Sequence, residues 1–277
     1  MQASAPGCFG LRPLRNLAAV LSIAVSLSAC LSVPAAQTDA MVTATDAVKT
    51  AADTILSQLN AAEKRVLIDS IAKAGAADFV PKDAALYSTL DTVAPNTAIL
   101  KGGVEALSAY AALVQSLAEG GSAAAEASQI KAIVDNVSGL PGISAGTTAA
   151  FTALLPVVNQ GLVIGGRLRA RSTVAAGKDK VHDLIAALRD ATAQMFEVLT
   201  YPLYIAHKSG TPPPDIAALR VKLSDYVVLL DRLQETFDRL ADAYANPNDA
   251  MSMTALVQAS AELSADAKIV RTAFGAL

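Results

Sequence analysis

The chain has 277 residues, with 22 basic against 25 acidic side chains, 53% hydrophobic residues and only 17% charged ones. That much apolar material excludes a disordered chain, and the length is ample for a buried core. The near-neutral balance excludes the basic stripe with which nucleic-acid binders displace phosphate counterions, two cysteines exclude a disulfide-stapled scaffold, and the absence of Trp argues against a base-stacking platform.

In chain order the first element is a leader. Arg12 and Arg15 give it a positive start, and no acidic residue precedes Asp39. Leu17 to Leu27 is an eleven-residue apolar stretch, well short of the roughly 20 helical residues that span a bilayer. It ends in Leu27-Ser28-Ala29-Cys30. This tetrad, a Leu and two small residues before a Cys, resembles the lipobox of bacterial lipoproteins, a resemblance that covers residues 1–30 only. It implies that residues 1–29 are a cleaved signal peptide, that Cys30 carries a thioether-linked diacylglycerol, and that its freed amino group is acylated. Leu31 stands where Asp would favour inner-membrane retention, so the resemblance further implies an outer-membrane anchor with the domain facing the periplasm. Cys8 would leave with the leader, and the sulfur of Cys30 would be consumed by lipid, so no thiol would remain for catalysis or metal binding. Each buried acyl methylene contributes about 0.8 kcal/mol, which makes several chains on one residue an effectively permanent anchor.

Residues 30–37 read as the lipidated cysteine and a tether, and residues 38–277 as the folded domain, with sub-lobes at 38–145 and 146–277. The chain's 58 alanines and the lack of period-two alternation point to helices throughout. Helix one is expected over about Thr38–Ser70, with Thr38 or Asp39 as N-cap and Met41, Val48, Ile55, Leu59 and Val66 on one stripe. A short segment follows at about Asp83–Thr92, and Pro95-Asn96 reads as a turn. The next helix covers about Thr97–Ala118, with Leu100, Val104, Leu107, Ala111 and Val114 at 4-3-4-3 spacing, closed by Gly120-Gly121. Another spans about Ala123–Asn136.

The C-terminal third is the best patterned. Val181, Leu184, Leu188, Ala191, Met195 and Val198 form a seam before Pro202, in a helix expected to end near Lys208. Thr211 to Pro214 is a rigid connector. From Asp215, a second seam of Ile216, Leu219, Leu223, Tyr226, Leu230, Leu233, Phe237, Leu240 and Tyr244 holds strict 3-4 spacing. Asn246-Pro247-Asn248 turns the chain into a last helix with Leu256, Ser260, Leu263, Ala267, Val270, Phe274 and Leu277 inward. Sustained heptads favour near-parallel helix axes, and short connectors favour antiparallel neighbours. The expected fold is all-α: an elongated antiparallel bundle of six to seven helices with coiled-coil-like packing, its seams serving its own core.

Catalytic or metal chemistry has little material. His182 and His207 are the only histidines, too far apart on one helix to share an ion, and no His-Glu-x-x-His, Glu-x-x-His, Gly-x-Ser-x-Gly or Walker pattern occurs. No catalytic residue, metal site or cofactor is therefore expected, and the chain is not expected to be an enzyme. The 31 positions from Asn136 to Gly166 hold no charged residue, and Arg167, Arg169 and Arg171 follow at once. The Gly161/Gly165/Gly166 spacing there permits close helix approach. The preferred reading is a buried central helix with the arginines as its solvated exit. Were it to touch a membrane, Arg167 and Arg171, four apart on one face, would meet the head groups.

The expectation is a non-enzymatic envelope scaffold or adaptor, held to the membrane through Cys30 and binding a protein partner rather than nucleic acid. One alternative is a carrier of a lipid or small apolar ligand. Another is a membrane-perturbing protein that uses residues 136–166.

Overall fold

The computed structural model describes residues 33, 35–73, 75, 88, 93–121, 123–137, 149, 152–153, 166–207 and 214–275. Residues 1–32, with the expected leader and the tetrad Leu27 to Cys30, all but Ser88 of the segment expected at 83–92, nearly all of 138–165, and Leu277 lie outside them. The described residues form seven helices and no strand: α1 Ala35–Lys73, α2 Pro95–Glu119, α3 Ala123–Val137, α4 Gly166–Asp190, α5 Thr192–Ala206, α6 Pro214–Ala245 and α7 Ala250–Gly275. They pack against one another as a helical bundle around one cluster of buried side chains to which every helix contributes.

The periodicity read from the sequence is the physical basis of that core. All nine seam residues of α6, from Ile216 to Tyr244, are buried, and so are Leu256, Ser260, Leu263, Ala267, Val270 and Phe274 of α7. Leu100, Val104, Leu107, Ala111 and Val114 of α2 are buried too, joined by Tyr110, Leu113 and Leu117, because α2 is covered on several sides by α1, α3 and α4. Val66 departs from the expected stripe of α1. It is half-buried, and the buried positions at that level are Ala62, Glu63 and Lys64.

Short polar links fix the helix directions. Gln115 donates to Asp39, Ser108 to Asp46 and Thr97 to Glu63, so α1 and α2 run antiparallel. Arg171 donates to the Ala245 carbonyl and Arg189 to Asp231, which makes α4 and α6 antiparallel. Arg232 pairs with Glu262 and Asp266, and Lys222, earlier on α6, lies over Phe274, later on α7, which does the same for α6 and α7. Helices α1, α2, α4, α6 and α7 close into a ring, with α3 outside against α2 and α5 continuing from α4 across α1 and α6. A ring of five cannot alternate all the way round. The exception is α1 and α7, which run parallel: Gln58 donates to the Phe274 carbonyl, Lys222 lies over the Phe274 ring, and Tyr226, one turn further along α6, feels Asp53, about one turn back on α1.

Boundaries differ from the sequence reading where side chains compete with the backbone. Thr38 is not an N-cap. It lies in the first turn of α1, and its hydroxyl donates back to the Ala35 carbonyl. Pro95 does not make a turn but occupies the first turn of α2, where its missing N–H costs nothing. The seam across Val181–Val198 belongs to two helices. Backbone bonds continue through Ala191, but Thr192 donates to the Arg189 carbonyl, and such back-bonding bends helices. Pro202 is accommodated inside α5, and His207 rather than Lys208 ends it. Gly120 takes the left-handed conformation (φ 81°) that lets α2 close and α3 turn back.

The last connection has its own pH signature. Asp249 accepts from the backbone N–H groups of Met251 and Ser252 and from the Ser252 hydroxyl, and these bonds hold its carboxyl below the usual value of 3.8. A depressed folded-state pKa stabilises above the unfolded value and is lost as pH falls through the folded one. Asp249→Ala is therefore expected to lower the melting temperature at neutral pH. Thermal unfolding followed by circular dichroism should show the gap between the two proteins closing below about pH 3.8.

Candidate functional site

Two ends and one interior cluster hold the residues with chemical interest. At the end where α1 begins, Val33 is buried in the core only three residues after Cys30. Arg167 and Arg171 stand in the first turns of α4 at that same end. Arg171 is exposed and donates to the Ala245 carbonyl at the C-terminus of α6, where a cation complements the helix dipole. The structure therefore ties one of the two expected head-group residues to a helix end as well as leaving it accessible.

Just inside that end Tyr110 and Tyr244 are buried near one another. The Tyr110 hydroxyl donates to the Thr173 carbonyl at 3.3 Å, and its ring meets Phe237 at a tilt with centroids 5.8 Å apart. Burial pushes the Tyr110 and Tyr244 phenols there, and that of Tyr226 toward the other end of α6, well above their ordinary range, and Tyr110 is raised further by Tyr244. They stay protonated at neutral pH and act as packing groups. Tyr110 fits because residue 177 is glycine: a Cβ there would stand 2.7 Å from two of its ring carbons.

Toward the other end, Glu63 is buried. Its carboxylate accepts the backbone N–H groups of Asn96 and Thr97 at 3.0 Å each and the Thr97 hydroxyl at 2.9 Å. Ala94, the residue before α2, has no side chain able to cap, so α1 supplies the cap across the bundle and places a negative charge at a helix N-terminus. The cavity beside it, between Glu63, Asn96, Gln194 and Met195, is only about 10 Å³, room for one water at most.

The histidines are separated as expected. His182 Nε2 lies 3.0 Å from Asp238, which also takes Lys178; His207 ends α5 with its N–H on the Leu203 carbonyl. Among the described residues, no group of three or more His, Cys, Asp or Glu side chains could hold a metal ion. Helix α2 has the length and mean hydropathy of a membrane span, but its neighbours α1, α3 and α4 use that apolar surface. The Gly161/Gly165 spacing lies outside the described residues. The close approaches that are described use Gly102, whose Cβ would stand 2.7 Å from the Asn136 carbonyl oxygen, and Gly177. Sequence reasoning missed Glu63, Gly102, Gly177 and Val33. A carboxylate on an otherwise apolar stripe was the one available signal for Glu63. No protein-family model, curated protein or solved structure matches the chain.

Proposed function

We propose that the chain is a bacterial envelope lipoprotein, anchored in the outer membrane through acylated Cys30, whose helical bundle serves as a non-enzymatic scaffold or adaptor for another envelope protein. The observation that carries this reading is the leader: Arg12 and Arg15, an apolar stretch from Leu17 to Leu27 and the Leu27-Ser28-Ala29-Cys30 tetrad. The bundle supports it in two ways. Helix α1, with 39 residues, is about 58 Å long at 1.5 Å per residue, which suits a post. At its far end Lys73 donates to Tyr201, and Tyr204 (55% exposed), Ile205 and Ile68 leave apolar side chains in solvent there, away from the anchor.

The test is Cys30→Ala in the full chain with its leader. The wild type is expected in the membrane fraction and released by detergent; the variant should move to the soluble periplasmic fraction. Cross-linking in living cells followed by mass spectrometry should recover a discrete protein partner. A variant that fractionates with membranes exactly as the wild type does, in cells that acylate other lipoproteins, overturns the anchor.

A further inference from the structure

We infer that the end of the bundle where α1, α4 and α7 begin rests directly on the phospholipid surface that holds the acyl chains, with Met251 and Leu168 as its contact residues. This rests on the lipoprotein reading and adds an orientation to it. The argument starts from chain length. Val33 is 2% exposed and belongs to the core cluster. It stands three positions after Cys30, and a fully extended chain covers at most about 3.6 Å per residue. A lipid on Cys30 therefore holds the bundle base within about 11 Å of the bilayer surface. A seven-residue tether would have allowed more than twice that reach; the buried Val33 removes most of it.

Helix directions decide which residues come down with Val33. The start of α1 is level with the end of α2 through the Gln115–Asp39 bond. Tyr110 of α2 reaches Thr173 near the start of α4, and Arg171 reaches the end of α6. From there the turn at 246–249 leads straight into α7. Met251, at the start of α7, is 80% exposed, and Leu168, at the start of α4, is 51% exposed. These large apolar side chains have no partner in the core and stand at the one end that the anchor brings to lipid, where interfacial burial of apolar surface is favourable. Charge does not choose the face. Arg167, Arg169 and Arg171 stand there against the exposed Asp39, Glu119 and Asp249, of which Asp39 is bonded to Gln115 and Asp249 caps α7. The contact is therefore expected to need the anchor and the apolar residues rather than anionic lipid.

The chemistry of the chain makes the orientation measurable. With Cys8 removed in the leader and Cys30 acylated, one engineered cysteine is the sole free thiol. Met251→Cys and Leu168→Cys at the base and Tyr204→Cys at the far end, each in the full-length protein, would be labelled with a fluorophore. The purified proteins would be placed in phosphatidylethanolamine vesicles carrying a nitroxide on a fraction of the head groups. Intact mass reports the state of Cys30, and circular dichroism reports folding. The expected result is quenching several-fold stronger at both base positions than at Tyr204→Cys, unchanged when phosphatidylglycerol is added. Acylated, folded protein with equal quenching at both ends, or stronger quenching at the far end, overturns the orientation and leaves the anchor standing. An unmodified Cys30 overturns both.

Discussion

Glu63→Ala is expected to lower the stability of the bundle by about 2–4 kcal/mol, because it strips the cap from α2 and leaves donors inside the protein without an acceptor. Glu63 lies at 6% exposure, and water cannot readily replace its two bonds to Thr97. A chain of this size loses about 2–4 °C of melting temperature per kcal/mol, so a shift on the order of 10 °C should appear in a thermal scan. Glu63→Gln keeps the shape and one carbonyl oxygen but loses the charge facing the helix N-terminus, and it is expected to fall between the two. A Glu63→Ala protein within about 0.5 kcal/mol of wild type, the ordinary range for surface substitutions, would mean that α1 does not cap α2.

Gly177→Ala is expected to cost about 2–3 kcal/mol, at the upper part of the overpacking range. Elsewhere on a helix this exchange stabilises, since alanine is the better helix former by up to about 1 kcal/mol, so the sign itself is the test. The new methyl would meet the Tyr110 ring, which cannot swing away because it is buried against Phe237 and bonded to Thr173. A double-mutant cycle by denaturant unfolding separates this from any general effect. In a Tyr110→Leu background, Gly177→Ala should lose at least about 1 kcal/mol of its cost, as contacting residues do. An additive cycle would place the strain elsewhere.

These effects show where the sequence is informative and where it is silent. The inward faces of α6 and α7 were legible residue by residue, since a 3-4 repeat over 32 and 26 residues can bury its apolar side only as a helix lying along its neighbours. The turn at Asn246-Pro247-Asn248 and the close at Gly120 were legible for equally local reasons: proline fixes φ, and glycine takes the positive φ that other residues avoid. Glu63 was not. Its partners lie 33 and 34 positions away, and nothing near Ala62 or Lys64 announces a helix start on another segment. The expected helix start at Thr38 failed because a threonine hydroxyl can cap a helix or bond back within it, and the two are indistinguishable without the carbonyl of Ala35 in place.

The sequence by itself determined that the chain is helical and which face of each well-patterned helix turns inward, and it carries the tetrad ending at Cys30 on which the proposed anchor rests. Those properties belong to single segments, where periodicity and the chemistry of a few adjacent residues suffice. Only the tertiary structure decided that five helices close a ring, that α1 and α7 therefore run parallel, that α1 caps α2, and that Val33 is drawn into the core so close to Cys30. Each of these depends on groups brought together from distant parts of the chain, as Gln58 and Phe274 are across 216 positions. Distance of that kind leaves no mark in a local pattern, because it is the closure of the ring that selects the pairs.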